Sequence, residues 1–167
     1  ILLANGIHIE ANKKIRIYED IYDDAKWLIN LVENLLSITR IEDGTMQIFM
    51  KAELMEEVIH EALKHINRKS SEHIIKVEDT EILLMAKLDP QLIIQVMINL
   101  IDNAIKFTPV GSEIVISTKK KDDWIVVDVV DNGNGIDADA KENLFEMFYT
   151  ANQSIADSRR GMGIGLA

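Results

Sequence analysis

Hydrophobic positions change their period several times along this chain. From about Asn12 to Asp43 they recur at helical spacing. Ile21, Leu28, Leu31, Leu35 and Ile38 fall on one side, the last four at steps of three, four and three, and Trp27, Val32 and Leu36 broaden the stripe. Asp43-Gly44 supplies a helix stop. A stripe this broad suits a helix of a four-helix bundle. Ile1–Glu10 is too short to be an antiparallel partner of equal length. The stripe therefore needs cover from elsewhere, either a second copy of the chain or the rest of this one.

Past Gly44 the period shortens. Met46, Ile48 and Met50 alternate with Gln47, Phe49 and Lys51, which predicts a strand. Leu54, Met55, Val58, Ile59, Ala62, Leu63 and Ile66 return to helical spacing, up to about Asn67. His73–Glu78 and Glu81–Leu88 read as two short strands around a turn. A further helix opens on Asp89-Pro90, an N-cap oxygen followed by a residue pre-set for the first turn. It closes at Thr108-Pro109, with Gly111 as a turn residue. Leu92, Ile93, Ile94, Val96, Met97, Ile98, Leu100, Ile101, Ala104 and Ile105 surround its axis, and a helix without a wet face is normally buried. Glu113–Lys119 and Trp124–Val130 then form a hairpin through Lys120–Asp123. Strand, helix, strands, helix and hairpin make a mixed α/β layer pattern, and Glu42–Thr45 is the one linker candidate.

Composition narrows the functional classes. A formal net charge of −10 over 167 residues argues against non-specific binding to nucleic acid or to an anionic membrane surface. The absence of cysteine excludes disulfides and thiolate metal sites and fits a cytosolic location. No apolar run reaches the roughly 18 residues of a membrane span. The sequence has no initiator Met and ends at Gly-Leu-Ala, so it reads as a piece of a longer protein.

Four stretches offer chemistry. Gln95, Asn99, Asn103 and Lys106 follow one another at steps of four, four and three, forming a polar stripe on the otherwise apolar helix. Buried amides and a lysine need partners, so the stripe is either an internal hydrogen-bond network or the wall of a pocket for a polar ligand. Asp131-Asn132-Gly133-Asn134-Gly135-Ile136 follows an apolar strand; it is either a turn or a place where backbone approaches a flat ligand, with Asp131 accepting from an exocyclic amine. Leu144–Tyr149 reads as an apolar helix end engaged in core packing. It leads into a polar segment, Thr150–Arg160, that suits a mobile loop over a site. Arg159 and Arg160 are either a solvated pair or phosphate ligands. Gly161-Met162-Gly163-Ile164-Gly165-Leu166 can expose successive backbone N–H groups to phosphate, though no predicted strand precedes it as a dinucleotide site would require.

In order and spacing these stretches together resemble the catalytic, ATP-binding part of sensor histidine kinases, within the gyrase–Hsp90–histidine kinase–MutL ATPase fold. Q-V-M-I-N-L-I-D-N-A-I-K-F-T is similar to that family's N box and D-N-G-N-G-I to its first glycine box. F-E-M-F-Y is similar to its F box and G-M-G-I-G-L to its second glycine box. W-L-I-N-L-V-E-N-L-L-S-I-T-R-I-E-D-G resembles the second helix of the dimerisation and phosphotransfer hairpin. Within the family, the osmosensitive potassium-channel sensor kinases look most similar. The resemblance implies an α/β, or α+β, two-layer sandwich of the Bergerat type. Residues 1–44 would be part of the dimerisation region, and 45–167 an ATP-binding domain lacking the last part of its fold.

The resemblance also implies site roles. Asn103 would ligate Mg²⁺, Asn99 would support the metal or the phosphates, Lys106 would touch a phosphate, and Phe107 would pack near the nucleotide. Asp131 would accept from the adenine amino group, while Gly133 and Gly135 give the base room. Gly161, Gly163 and Gly165 would shape the phosphate loop, with Ile136, Phe148, Arg160 and Leu166 among the nucleotide-binding residues. The implied cofactors are ATP and Mg²⁺. The implied partners are a second copy of the chain and, for the parent protein, a response regulator. The parent would be a bacterial inner-membrane sensor and this chain a cytoplasmic, non-embedded portion of it. None of His8, His60, His65 and His73 lies in the family's H-E/D-x-R/K-T-P phosphoacceptor context. The chain alone is therefore expected not to autophosphorylate. Two rivals share the fold: a nucleotide-binding switch of the anti-sigma kind, and a gyrase- or MutL-type ATPase. The second needs a glutamate base, where the N box offers only Asp102.

Overall fold

The structure, a computed structural model, describes residues 11–66, 72–78, 83–150 and 163–166. The chain divides into two compact units, 1–46 and 47–167. In the first, helix α1 runs from Ala11 to Glu42. It ends where its sequence places the stop. Gly44 takes a positive φ of 64°, its N–H donates to the Ile41 carbonyl at 3.0 Å, and the Thr45 N–H donates to the Arg40 carbonyl at 3.0 Å. These two bonds satisfy carbonyls that the last helical turn leaves open. Ile21, Leu28, Val32, Leu35 and Leu36 on the apolar stripe remain about half exposed. No described helix is long and apolar enough to cross a membrane.

The second unit is an α/β two-layer sandwich. Its elements are β1 (Lys51–Leu54), α2 (Met55–Lys64), β2 (Ile74–Val77), β3 (Met85–Leu88), α3 (Pro90–Phe107), β4 (Glu113–Lys121), β5 (Trp124–Asp131) and a single turn, α4 (Ala138–Lys141). The main sheet has the order β2-β4-β5, with β2 parallel and β5 antiparallel to β4; β1 and β3 form a separate antiparallel ribbon. Alternation assigns the faces. Ile75 and Val77 of β2, Ile114 and Ile116 of β4, and Val127 and Val129 of β5 join one core with Ile59 and Ala62 of α2 and Met97, Ile98, Ile101, Ala104 and Ile105 of α3. The opposite face carries ion pairs, Lys76 with Glu113 and Lys119 with Asp128. Exposed pairs contribute about 0–1 kcal/mol each, whereas burying one isoleucine side chain contributes about 1.5–3 kcal/mol. Helix burial holds the sheet.

Four expectations are corrected. Residues 45–50 form no strand, and pairing begins only at Lys51, opposite Leu88. The chain there is held instead by a side chain, as described below. The segments 73–78 and 81–88 are not a hairpin: β2 pairs with β4 and β3 with β1, in two different sheets. Helix α2 ends at Lys64, short of Asn67, which lies outside the described residues. Helix α3 is not buried all round. Only the Met97–Ile98–Ile101–Ala104–Ile105 face is, while Val96 on the other side is half exposed.

Asp89 ties the ribbon to the sandwich. As the predicted N-cap, its Oδ1 accepts from the Gln91 N–H at 3.1 Å and the Leu92 N–H at 3.4 Å. Its Oδ2 accepts from the Phe49 N–H at 2.8 Å, forty residues back along the chain. The Phe49 N–H, with the two cap N–H groups, holds this carboxyl below the ordinary value near 3.8 against the opposing effect of burial. A depressed folded pKa gives stability that is complete above the unfolded value and is lost as pH falls through the folded one. Asp89→Ala is therefore expected to lower the urea midpoint at neutral pH. The gap from the unsubstituted protein should narrow as pH is taken from about 6 to about 3. A gap independent of pH would refute the role of the carboxylate charge.

Candidate functional site

Sheet register places the first candidate residue. Ile75, Ile114 and Asp131 are consecutive cross-strand partners in β2, β4 and β5, so Asp131 belongs to the row that faces the helices. It is the last residue of that row and lies beside the end of α3. There its Oδ1 accepts the Gly133 N–H at 2.9 Å, leaving Oδ2 for another donor. Gly133 is required for space. A Cβ on it would come within 2.8 Å of Thr108 Cγ2 and 2.9 Å of Asp131 Oδ1. Thr108 is itself fixed, because its hydroxyl donates to the Ala104 carbonyl at 2.6 Å. Gly135 has open space around it but a φ of +73°, so conformation rather than room selects glycine there. Ile136 is half exposed.

Asn132 was not singled out from sequence. Its Oδ1 accepts the Glu113 N–H at 3.0 Å and anchors the glycine loop to the start of β4. A side-chain amide beside a glycine in a turn was the available signal, since such residues commonly bond nearby backbone.

The polar stripe of α3 lies opposite its buried face. Gln95, Asn99, Asn103 and Lys106 are all half-buried, neither sealed in the core nor fully open. The stripe therefore reaches the surface of the domain. Lys106 Nζ stands 5.1 Å from the ring centroid of Phe107, and that ring is itself exposed.

The second glycine box approaches the same helix. The position a Cβ would take on Gly165 is 3.7 Å from Asn99 Cγ, and Ile164 beside it is buried. Leu166 is half-buried. Gly163 has a φ of +66°, and a Cβ there would sit 2.2 Å from the Tyr149 carbonyl oxygen. The F-box expectation is overturned. Residues 142–148 are turns rather than helix, and Phe145 and Phe148 are 74% and 63% exposed. Arg159, Arg160 and Gly161, and all of 150–160 beyond Thr150, lie outside the described residues.

Two segments distant in sequence thus meet one helix, the first glycine box at Thr108 and the second at Asn99. The rise of an α-helix separates these points by roughly 13 Å. Among the described residues no group of three or more His, Asp or Glu side chains could hold a metal ion. The oxygen donors on the stripe are neutral amides. Such a set suits a hard cation that takes most of its ligands from water and from a bound anion.

Residues 88–167 match the family described as histidine kinase-, DNA gyrase B-, and HSP90-like ATPase. The sensor protein KdpD of Clostridium acetobutylicum is 43% identical over 166 residues, covering 99% of this chain and 18% of that protein. This chain carries a sensor histidine kinase ATPase domain. Among solved structures, the Acinetobacter baumannii histidine kinase AdeS aligns with a TM-score of 0.67 at 22% identity, covering 89% of this chain and 68% of that one. The histidine kinase ThkA, solved in complex with the response regulator protein TrrA, aligns with a TM-score of 0.59 at 22% identity, covering 89% and 42%. The fold is thus the Bergerat fold of histidine kinase ATP-binding domains. The chain spans about a fifth of the length of the relatives it matches.

For this kinase-type domain the tight contact at Gly133 has a direct consequence. Gly133→Ala is expected to lose about 1–3 kcal/mol of stability in urea unfolding, as overpacking does. Adding Thr108→Ser, which removes the nearest clashing methyl, should recover part of the loss. No recovery would mean that Thr108 does not set the position of the loop.

Proposed function

We propose that this chain is the nucleotide-binding part of a sensor histidine kinase. The parent would move the γ-phosphoryl group of ATP to one of its own histidines and then to an aspartate of a response regulator. The observation that carries the reading is the convergence on α3, with the Asp131–Gly133 turn at one end and Gly165 beside Asn99 further along. A ligand with a flat, amine-bearing head and an anionic tail fits that polarity. In this reading the free oxygen of Asp131 accepts from the adenine amino group, and Gly133 and Gly135 keep side chains away from the ring. Phe107 flanks the nucleotide and Lys106 meets a phosphate. Asn103, supported by Asn99, would hold Mg²⁺ through its amide oxygen; the ion, when bound, supplies charge neutralisation between phosphate oxygens. Gly163 and Gly165 shape the phosphate end, and Gly161 and Arg160, which lie outside the described residues, would join the nucleotide-binding set. Phosphoryl transfer relies mainly on positioning, and main-chain groups on a packed helix and sheet provide that.

The likeness to KdpD supports a parent that senses potassium or osmotic state from the inner membrane, with this portion on the cytoplasmic side. The ThkA complex supports a response regulator as partner. The half-exposed stripe of α1 supports a homodimer formed through that helix.

Calorimetric titration with ATP and Mg²⁺ tests the site. Asn103→Asp and Asp131→Asn should each weaken binding about tenfold or more, equivalent to roughly 1.4 kcal/mol. Binding insensitive to both changes, or none at all, would sink the assignment. Sedimentation tests the dimer: the protein should sediment as a dimer, and Leu28→Asp with Leu35→Asp should make it a monomer. A monomeric starting protein would remove α1 as the interface.

A further inference from the structure

Phe148 has a backbone that a phenylalanine seldom adopts. Its φ is +64°, and among the described non-glycine residues only Asp122, in the β4–β5 hairpin turn, shares the left-handed region. Aspartate is tolerated there, while a bulky residue is an outlier that surrounding structure must enforce. Burial of the ring does not enforce it, because the side chain is 63% exposed. The main chain does. The Phe148 N–H donates to the Gly163 carbonyl at 2.8 Å, and Gly163 packs where a Cβ would meet the Tyr149 oxygen at 2.2 Å, the Tyr149 nitrogen at 2.6 Å and the Phe148 carbonyl carbon at 2.7 Å. Next in sequence, Ile164 is buried and Gly165 lies against Asn99.

We infer that Phe148 is a positioning residue that acts through its left-handed backbone. Its N–H grips Gly163 and thereby seats the second glycine box against Asn99 on α3. The ring is not the working part. This deepens the proposed nucleotide site and rests on it for the consequence in binding, although the seating itself exists without nucleotide.

The two possibilities predict opposite orders of variants. If the backbone acts, tolerance at 148 follows the ease of positive φ, with glycine and asparagine best and valine worst. If the ring acts, removing it is harmful whatever replaces it. The test uses the full chain with ¹⁵N labelling and no nucleotide, following the Gly165 amide and the Asn99 side-chain amide. Phe148→Gly and Phe148→Asn should keep both signals in place. Phe148→Val and Gly163→Ala should shift the same two signals, while the Ile101 and Ile116 amides of the core stay put. In ATP titrations Phe148→Val should bind about fivefold to tenfold weaker. Displacement of the Asn99 and Gly165 signals by Phe148→Gly would overturn the inference, even if valine left the chain unfolded. If the unsubstituted chain binds no ATP, the nucleotide reading fails, and the spectra still decide the positioning role.

Discussion

The seating of one face of α3 on β4 is the contact from which the other features follow. Ile101, Ile114 and Ile116 are fully buried there, with Met97, Ala104 and Ile105 beside them. A helix turns by about 100° per residue, so rotation by two positions would put Asn99 and Asn103 into that core. Unpaired buried amides cost more than any exposed contact on the opposite side could return. The same burial that holds the sheet therefore points the polar stripe outward. It also brings Thr108, at the end of the helix, to the last residue of the β5 row, Asp131.

Features encoded within a few residues were readable from the chain alone. Asp89-Pro90 reads as a helix start, Asp43-Gly44 as a stop, and the β4–β5 hairpin and the period of α3 are evident, because each depends on local sterics or local hydrogen bonding. Features set by distant partners were not. Met46–Met50 alternates like a strand, but the carboxylate of Asp89 takes the Phe49 N–H that a ladder would have used. β2 and β3 follow one another in sequence, yet nothing in their composition says that one joins the main sheet and the other a ribbon with β1. Leu144–Tyr149 is apolar enough for a core, but the core is already filled by α2 and α3, and Phe145 and Phe148 stay outside it. For the site, residue types were legible while their reasons were not. Gly133 answers to a threonine methyl, Gly135 to its own φ, and Gly163 to both constraints together. Asn132 escaped notice because its role is a single bond to the start of another strand.

Charge explains why a site of the proposed kind would be built from backbone and amides. The chain carries a net charge of −10, so an anionic tail approaching it meets repulsion at long range. Carboxylates along α3 would add to that at close range. Asp102 is the one carboxylate on α3; the stripe itself holds two asparagines, a glutamine and a lysine, and the facing segment is glycine-rich main chain. Amide oxygens can serve a hard cation without adding negative charge, and backbone N–H groups favour anions without the entropy cost of ordering long basic side chains. The single carboxylate brought to the helix end, Asp131, stands about 13 Å along the axis from Asn99, where an amine-bearing head rather than an anionic tail would lie. One of its oxygens is already committed to the Gly133 N–H. In the proposed site this leaves one acceptor at one end and neutral amides toward the other, a polarity that would orient a ligand before any chemistry begins.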